Sequence, residues 1–324
     1  MEKEPGSKVA TMIHVEQFGP VLAIRMARSF LGRPLWWTAA YWVDGLLVDT
    51  GPRYTARELV QVLRSLEVEQ VVITHGHEEQ IGGLAELRRH FPEARIYASM
   101  RTLPYIEEPA RIKMQFYRRL LWGTPNGFSD VLTLDAADNV IKTRNYLFRV
   151  VETPGHSPDH ITLFEPVQRW VFSGDAFIYG RDETWTPEAD LFGVLSSLRT
   201  LDSLHPERLF AATGRVSRTP RPELHEKIGN LVRLAREVAR LDAEGLSAAT
   251  IVTRLFGQEP SANIWSFGHL SALNLVEACR SYNTIFATVD SPSVLLPSAN
   301  DAGEEIDTSD SSPNLSADWG DWIR

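Results

Sequence analysis

The chain has 324 residues, of which 43% are hydrophobic and 10% aromatic, and it holds one cysteine, Cys279. That composition supports a folded core, and a single cysteine excludes an internal disulfide or a cysteine-ligated zinc cluster, so any metal must be held by histidines and carboxylates. The net charge of −9 is uneven: from Asp301 onward seven acids face one base, a sum of −6, which leaves −3 for the rest and no basic surplus to favour a nucleic-acid backbone.

The first residues contain no apolar segment of the secretory kind, and no apolar run is long enough to span a bilayer, so the expected location is the cytoplasm. Residues 12–50 read as strands, with β-formers dense at 21–26 and 36–43. Asp44-Gly45 is a hairpin signal that leads into Leu46-Leu47-Val48-Asp49-Thr50-Gly51. A helix follows at 56–66, and a short bounded apolar strand at 70–74 ends at His75. A helix at 79–90 and a strand at 95–99 come next. Residues 112–122 allow two readings, a buried amphipathic helix or a lid over an apolar substrate.

Strands recur at 146–152, 161–164 and 170–173, then a helix at 191–204 and a strand at 208–212. Strands mixed with helices argue for α/β layers. After Pro222, Leu224, Ile228, Leu231, Leu234, Val238 and Leu241 recur at spacings of 3 and 4, the pattern of an amphipathic helix. Ser247 reads as an N-cap and Gly257 as a C-terminal cap, with a further helix at 269–282. Beyond Ser291 the chain is rich in Ser, Asp, Pro and Ala and reads as disordered. The expected division is a main domain at 12–222, a helical subdomain at 223–290 and an acidic tail at 291–324.

The chemistry concentrates in four places. Thr74-His75-Gly76-His77-Glu78-Glu79-Gln80 puts two histidines on a loop directly after a buried strand, where both imidazoles can converge on one ion. Gly155-His156 and Gly174-Asp175 each lie at a strand end. Three histidines and an aspartate at strand–loop junctions form a catalytic metal set with room for water. Asp49 reads as structural, capping its loop, and His160 as part of the Ser157-Pro158-Asp159-His160 turn. His14, His90, His205, His225 and His269 have no motif partners.

In this order the motifs resemble those of the metallo-β-lactamase superfamily: His-x-His-x-Asp-His, then Gly-His, Gly-Asp and a final His, across roughly residues 12–220. The helical extension is similar in placement to that of the lactamase-beta-2-like and glyoxalase II-like branches. The resemblance implies an α/β fold, the four-layer αβ/βα sandwich with a small helical C-terminal subdomain. It implies a first metal site at His75, His77 and His156, with Asp175 bridging to a second. That second site would need Asp and His at positions 79 and 80 and a His in the last motif, where this chain has Glu79, Gln80 and Arg215. Glu79 remains a plausible ligand, Gln80 is a weak neutral donor, and Arg215 cannot ligate. The expected cofactor is therefore one divalent ion, zinc first, with iron or manganese as alternatives.

The implied function is hydrolysis of an ester, thioester or lactone-type carbonyl in a small-molecule substrate, anionic with an apolar part. A metal lowers the pKa of bound water towards about 7 and so supplies hydroxide at neutral pH. Asp175 would orient that water or complete the coordination, Glu79 would ligate or act as general base, and Arg215 would hold an anionic substrate group or a developing oxyanion. Two other classes stay open: a phosphodiesterase or nuclease of the same fold, and a catalytically impaired metal- or ligand-binding protein.

Overall fold

The computed structural model describes residues 9–288. Strands β1 (Val9–Phe18), β2 (Val21–Phe30), β3 (Arg33–Pro34), β4 (Thr38–Val43) and β5 (Leu46–Val48) pair antiparallel, with β3 hydrogen-bonded to the end of β2. Asp44 and Gly45 both take positive φ, 49° and 85°, as a two-residue hairpin turn between right-twisted strands requires. The chain then switches to crossovers. Helix α1 (Ala56–Leu63) leads to β6 (Gln70–Val72), and α2 (Glu78–Ile81) with α3 (Leu84–His90) leads to β7 (Arg95–Ala98). Helices α4 (Leu103–Glu107) and α5 (Phe116–Trp122) lead to β8 (Leu132–Thr133). Strands β5 to β8 are mutually parallel, so their C-terminal ends share one edge of the sheet.

The second sheet is built from β9 (Val140–Lys142), β10 (Leu147–Glu152), β11 (Ile161–Glu165) and β12 (Trp170–Gly174). After α6 (Leu191–Ser203) come β13 (Arg208–Ala211) and β14 (Val216–Ser217). The order is β14-β13-β12-β11-β10-β9, and only β12 and β13 run parallel. Four helices close the described chain: α7 (Pro220–Ala243), α8 (Ala248–Phe256), α9 (Ser261–Trp265) and α10 (Ala272–Thr288).

Period-two alternation assigns the two faces of each sheet. Ala23, Leu46, Val72 and Phe172 face inward and pack with Tyr41, Phe148 and Phe210 between the sheets. Their chain neighbours Ile24, Leu47 and Val71 face outward onto Leu59, Leu63, Leu84 and Leu87 of α1 and α3. On the far side Val171 and Leu209 pack against Leu195 and Leu198 of α6, and the same cluster continues through Leu231, Val238 and Leu275 of the C-terminal helices. The result is the four-layer αβ/βα sandwich. Each buried Phe, Leu or Ile in it contributes about 1.5–3 kcal/mol of transfer free energy.

Local differences from the expected elements have local causes. The single helix expected at 79–90 is two helices, because the Gly83 N–H bonds to the Gly51 carbonyl (3.1 Å) and the Thr50 hydroxyl (3.2 Å). The two glycines lie directly on the 50–53 loop: a Cβ on Gly82 would stand 2.3 Å from the Arg53 nitrogen, and one on Gly83 2.3 Å from the Thr50 oxygen. Of residues 112–122 only Phe116–Trp122 is α-helical; Tyr117, Arg118 and Trp122 are buried while Phe116 and Leu120 are exposed. Helix α10 starts at Ala272, not 269, because the Glu259 carboxylate accepts the N–H groups of Ala272 (2.9 Å) and Leu273 (3.0 Å). Ser247 caps α8 by accepting from Thr250 N (3.2 Å), and Gly257 ends it at φ 77°. The acidic tail expected at 291–324 lies outside the described residues. No described helix is long and apolar enough to cross a membrane.

Candidate metal centre

The edge where the parallel strands end is where the polar residues gather. Asp49 follows β5, His75 follows β6, and Asp175 follows β12. The 153–160 loop after β10 brings in His156. His75 Nε2 lies 3.1 Å from His77 Nδ1, and His156 Nε2 lies 3.1 Å from the same atom. Donors on one tetrahedral ion at about 2.0–2.1 Å stand roughly 3.3 Å apart, so the three nitrogens are spaced as ligands. Among the described residues these three histidines form the group of such donors close enough to hold a metal ion. Asp175 Oδ2 is 3.5 Å from His75 Nε2 and 3.9 Å from His156 Nε2, and Glu79 Oε1 is 4.0 Å from His77 Nδ1. Glu79 Oε2 and Gln80 Oε1 are buried without a hydrogen-bond partner, the former turned toward Arg118 rather than toward the histidines.

Neighbouring groups fix which nitrogens are free. The Thr74 hydroxyl donates to the Asp49 carboxylate (2.9 Å) and stands 3.0 Å from His75 Nδ1. With its one proton on Asp49, it accepts from Nδ1–H, which leaves a lone pair on Nε2 directed at the cluster. Asp49 is held at φ 61° and also accepts the Thr74 N–H at 2.8 Å. Burial pushes its carboxyl up to about 8 and the Thr74 hydrogen bonds oppose that rise; the relay through Thr74 to His75 belongs to the ionised carboxylate. His160 works differently. Its Nε2 accepts the Asp175 backbone N–H (2.9 Å) and its Nδ1 faces the Thr153 hydroxyl (2.9 Å), so it orients Asp175 and has no nitrogen left for a metal. A Cβ on Gly174 would stand 2.5 Å from that Nε2, which explains the glycine, at φ 51°. Burial holds His75 and His77 well below the ordinary imidazole range, and His156 below it, so all three are neutral and ready to ligate.

A family description, the Metallo-beta-lactamase superfamily, matches residues 38–243. The chain belongs to that superfamily. It is 25% identical over 241 residues to a beta-lactamase-like protein 2 homolog of Caenorhabditis elegans, covering 72% of each chain. It is 26% identical over 162 residues to the hydroxyacylglutathione hydrolase GloC of Haemophilus influenzae, covering 48% of this chain and 73% of that one. A metallo-beta-lactamase family protein from Thermus thermophilus has the same fold, with a TM-score of 0.54 at 18% identity over 86% of this chain and 94% of that chain.

The positions where this chain departs from the superfamily pattern are occupied by other interactions. Gln80 donates from Nε2 to Asp175 Oδ2 at 3.1 Å. Arg215 is exposed; its guanidinium lies over the Tyr179 ring and 3.4 Å from Glu223, and no described contact joins it to the histidines, Asp175 or Glu79. The cation beside the acids is Arg118 of α5. It makes a two-pronged pair with the fully buried Glu78 (2.6 and 2.7 Å) and its Nη2 is 4.0 Å from Glu79 Oε2. Burial raises the Glu79 carboxyl, Glu78 beside it adds to the rise, and Arg118 works against it. Sequence reasoning missed Arg118, Glu78 and Thr74. Thr74 and Glu78, which flank the two histidines in sequence, carried a local signal, and Arg118 carried none.

Proposed function

We propose that this protein is a metal-dependent hydrolase of small-molecule thioesters or esters that works with one ion, held by His75, His77 and His156. The observation that carries this reading is the convergence of three neutral ring nitrogens, with the Asp175 and Glu79 carboxylates beside them. The donor set suits zinc, since imidazole binds it well and no thiolate is present. Such an ion supplies Lewis acidity and makes water nucleophilic at neutral pH.

The chain's own groups do the rest. Asp175, anchored by Gln80 and by His160 through its backbone, orients the attacking water. Glu79 is positioned to take the proton: its Oε1 lies 4.0 Å from His77 Nδ1, and burial raises its carboxyl, which makes it a stronger base. Arg118 supplies a fixed positive charge next to Glu79, where a second ion would gain little and be repelled. Trp36, Tyr117, Trp122 and Trp265 form an aromatic wall beside Arg118, with Tyr117 and Trp265 ring centres 5.2 Å apart and Trp36 and Trp122 6.2 Å apart. That wall suits the apolar part of an acyl group. The name of the Haemophilus relative, a hydroxyacylglutathione hydrolase, supports the thioester class.

The test combines elemental analysis with a substrate pair. The full chain, purified without added metal, is expected to carry about one ion and to hydrolyse a small acyl thioester, and His77→Ala is expected to lose both. About two ions per chain would overturn the single-ion reading. Cleavage of bis-p-nitrophenyl phosphate in preference to the thioester would replace it with a phosphodiesterase, and metal without any hydrolysis with a binding protein.

A further inference from the structure

Arg25 is a cation without an ion pair among the described residues. It lies in β2 opposite Ala39 of β4, on the inward face of the first sheet, past the point where the apolar core ends. Its guanidinium sits over the Trp37 ring, 4.7 Å from the centroid. Its stem crosses the loop after β13 so closely that a Cβ on Gly214 would stand 2.5 Å from Arg25 Cγ. Half-buried, with Nε enclosed and unpartnered, it forms no hydrogen bond or ion pair with any described residue. Arg118, by contrast, has Glu78, and Arg28 has the Leu120 carbonyl. A guanidinium half-withdrawn from water with no ion pair of its own can take its counter-charge from a ligand.

The position is next to the metal centre. The Gly214 loop continues from Ala212, whose N–H bonds to the Gly174 carbonyl at 3.0 Å, immediately before Asp175. Tyr41 lies between: its hydroxyl donates to the Ala211 carbonyl at 2.6 Å, and its phenol feels Arg25, Asp49 and Asp175 together. Stacking on Trp37 and packing on Gly214 fix the guanidinium plane, so little side-chain freedom remains to be lost on binding.

We propose that Arg25 is the receptor for a carboxylate carried by the substrate, which makes the preferred substrate a thioester or ester with an anionic group remote from the scissile carbonyl. A planar guanidinium matches a carboxylate through two parallel N–H donors. Glu16 acts on the Arg25 charge without forming an ion pair with it, so one cation remains to meet one carboxylate. Arg215, tied to Tyr179 and Glu223, does not share the task.

This proposal rests on the hydrolase reading, so its test has one arm that does not. In the first arm, S-succinyl- and S-butyryl-N-acetylcysteamine, equal in chain length and differing by one carboxylate, are compared as substrates. The wild-type chain is expected to prefer the succinyl ester at least about tenfold in kcat/KM. Arg25→Met should lower that value about 10- to 100-fold, chiefly through KM, with the butyryl ester within about twofold, and Arg25→Lys should retain part of the preference. In the second arm, succinate is titrated calorimetrically into the full chain at pH 8. Binding is expected in wild type and in His77→Ala, and not in Arg25→Met, whose melting temperature should stay within a few degrees of wild type. Failure of hydrolysis with intact succinate binding would sink the hydrolase reading alone. Succinate binding that survives Arg25→Met, no binding in wild type, or tighter binding of methyl phosphate than of succinate would each overturn the assignment of Arg25.

Discussion

Thr74 shows how one hydroxyl decides what an imidazole can do. Because it gives its proton to Asp49, it must accept from His75, and the ring nitrogen on the other side is left bare toward His77 and His156. Removing the hydroxyl while keeping the shape, Thr74→Val, leaves His75 Nδ1–H without an acceptor and frees the ring to turn. Orienting partners of metal-ligating histidines are typically worth about 10- to 100-fold in affinity. Competition with a chromophoric chelator should show a loss of that size, with the fold retained; an affinity equal to wild type would show that Thr74 does not orient the ring. The histidines themselves were legible in the sequence because His75-Gly76-His77 sits directly after a short apolar strand. The relay behind them was not, since Asp49 and Thr74 lie 25 residues apart and meet only because β5 and β6 are parallel neighbours.

At the scale of elements, α5 ties the sequence between β7 and β8 to the metal edge. Its buried side chains, Tyr117, Arg118 and Trp122, face Trp265, Glu78 and Trp36 respectively, so one seven-residue helix touches the C-terminal helices, the acids and the aromatic wall. Arg118→Met would leave Glu78 charged, fully buried and unpaired, a change that commonly costs about 3–5 kcal/mol. A melting temperature lower by roughly 10 °C is expected, and Glu78→Gln in the same chain should recover part of it. If Arg118→Met melts like wild type, the pair is not what fixes α5. Elements with local signals were legible: the Asp44-Gly45 hairpin, the Ser247 cap, the 3–4 spacing of α7. Those set by distant partners were not. The break between α2 and α3 depends on the 50–53 loop, the start of α10 on Glu259, and the depth of α5 on an ion pair spanning 40 residues of sequence. The same limit led to Arg215 as the expected cation, when the guanidinium beside Glu79 belongs to Arg118.

Across the whole molecule, the outermost apolar cluster joins α6, β12 and β13 to helices α7, α8 and α10, and Cys279 lies fully buried in it. Burial, with Asp182 adding to it, pushes the Cys279 thiol up to about 12. Burial likewise raises the Tyr41 phenol, in the cluster between the sheets, and the Tyr117 phenol on α5. All three groups keep their protons in the folded chain at pH values where an unfolded chain releases them, from about 8.5 for cysteine and about 10 for tyrosine. The folded pKa exceeds the unfolded one, so the stabilising contribution is complete below the unfolded values and is lost as pH rises toward the folded ones. Above pH of about 9 the unfolded state binds fewer protons than the native state, and stability must fall with a slope of up to about 1.4 kcal/mol per pH unit for each proton retained. Thermal unfolding followed from pH 7 to 11 should show a melting temperature that declines beyond pH of about 9, and Cys279→Ala should make the onset of that decline shallower. In parallel, a thiol reagent at pH 8 should find no reactive cysteine in the native chain and one in guanidinium chloride. A melting temperature constant up to pH 11, or stoichiometric reaction of the native thiol, would mean that the C-terminal helices open readily and that the four layers do not unfold as one cooperative body.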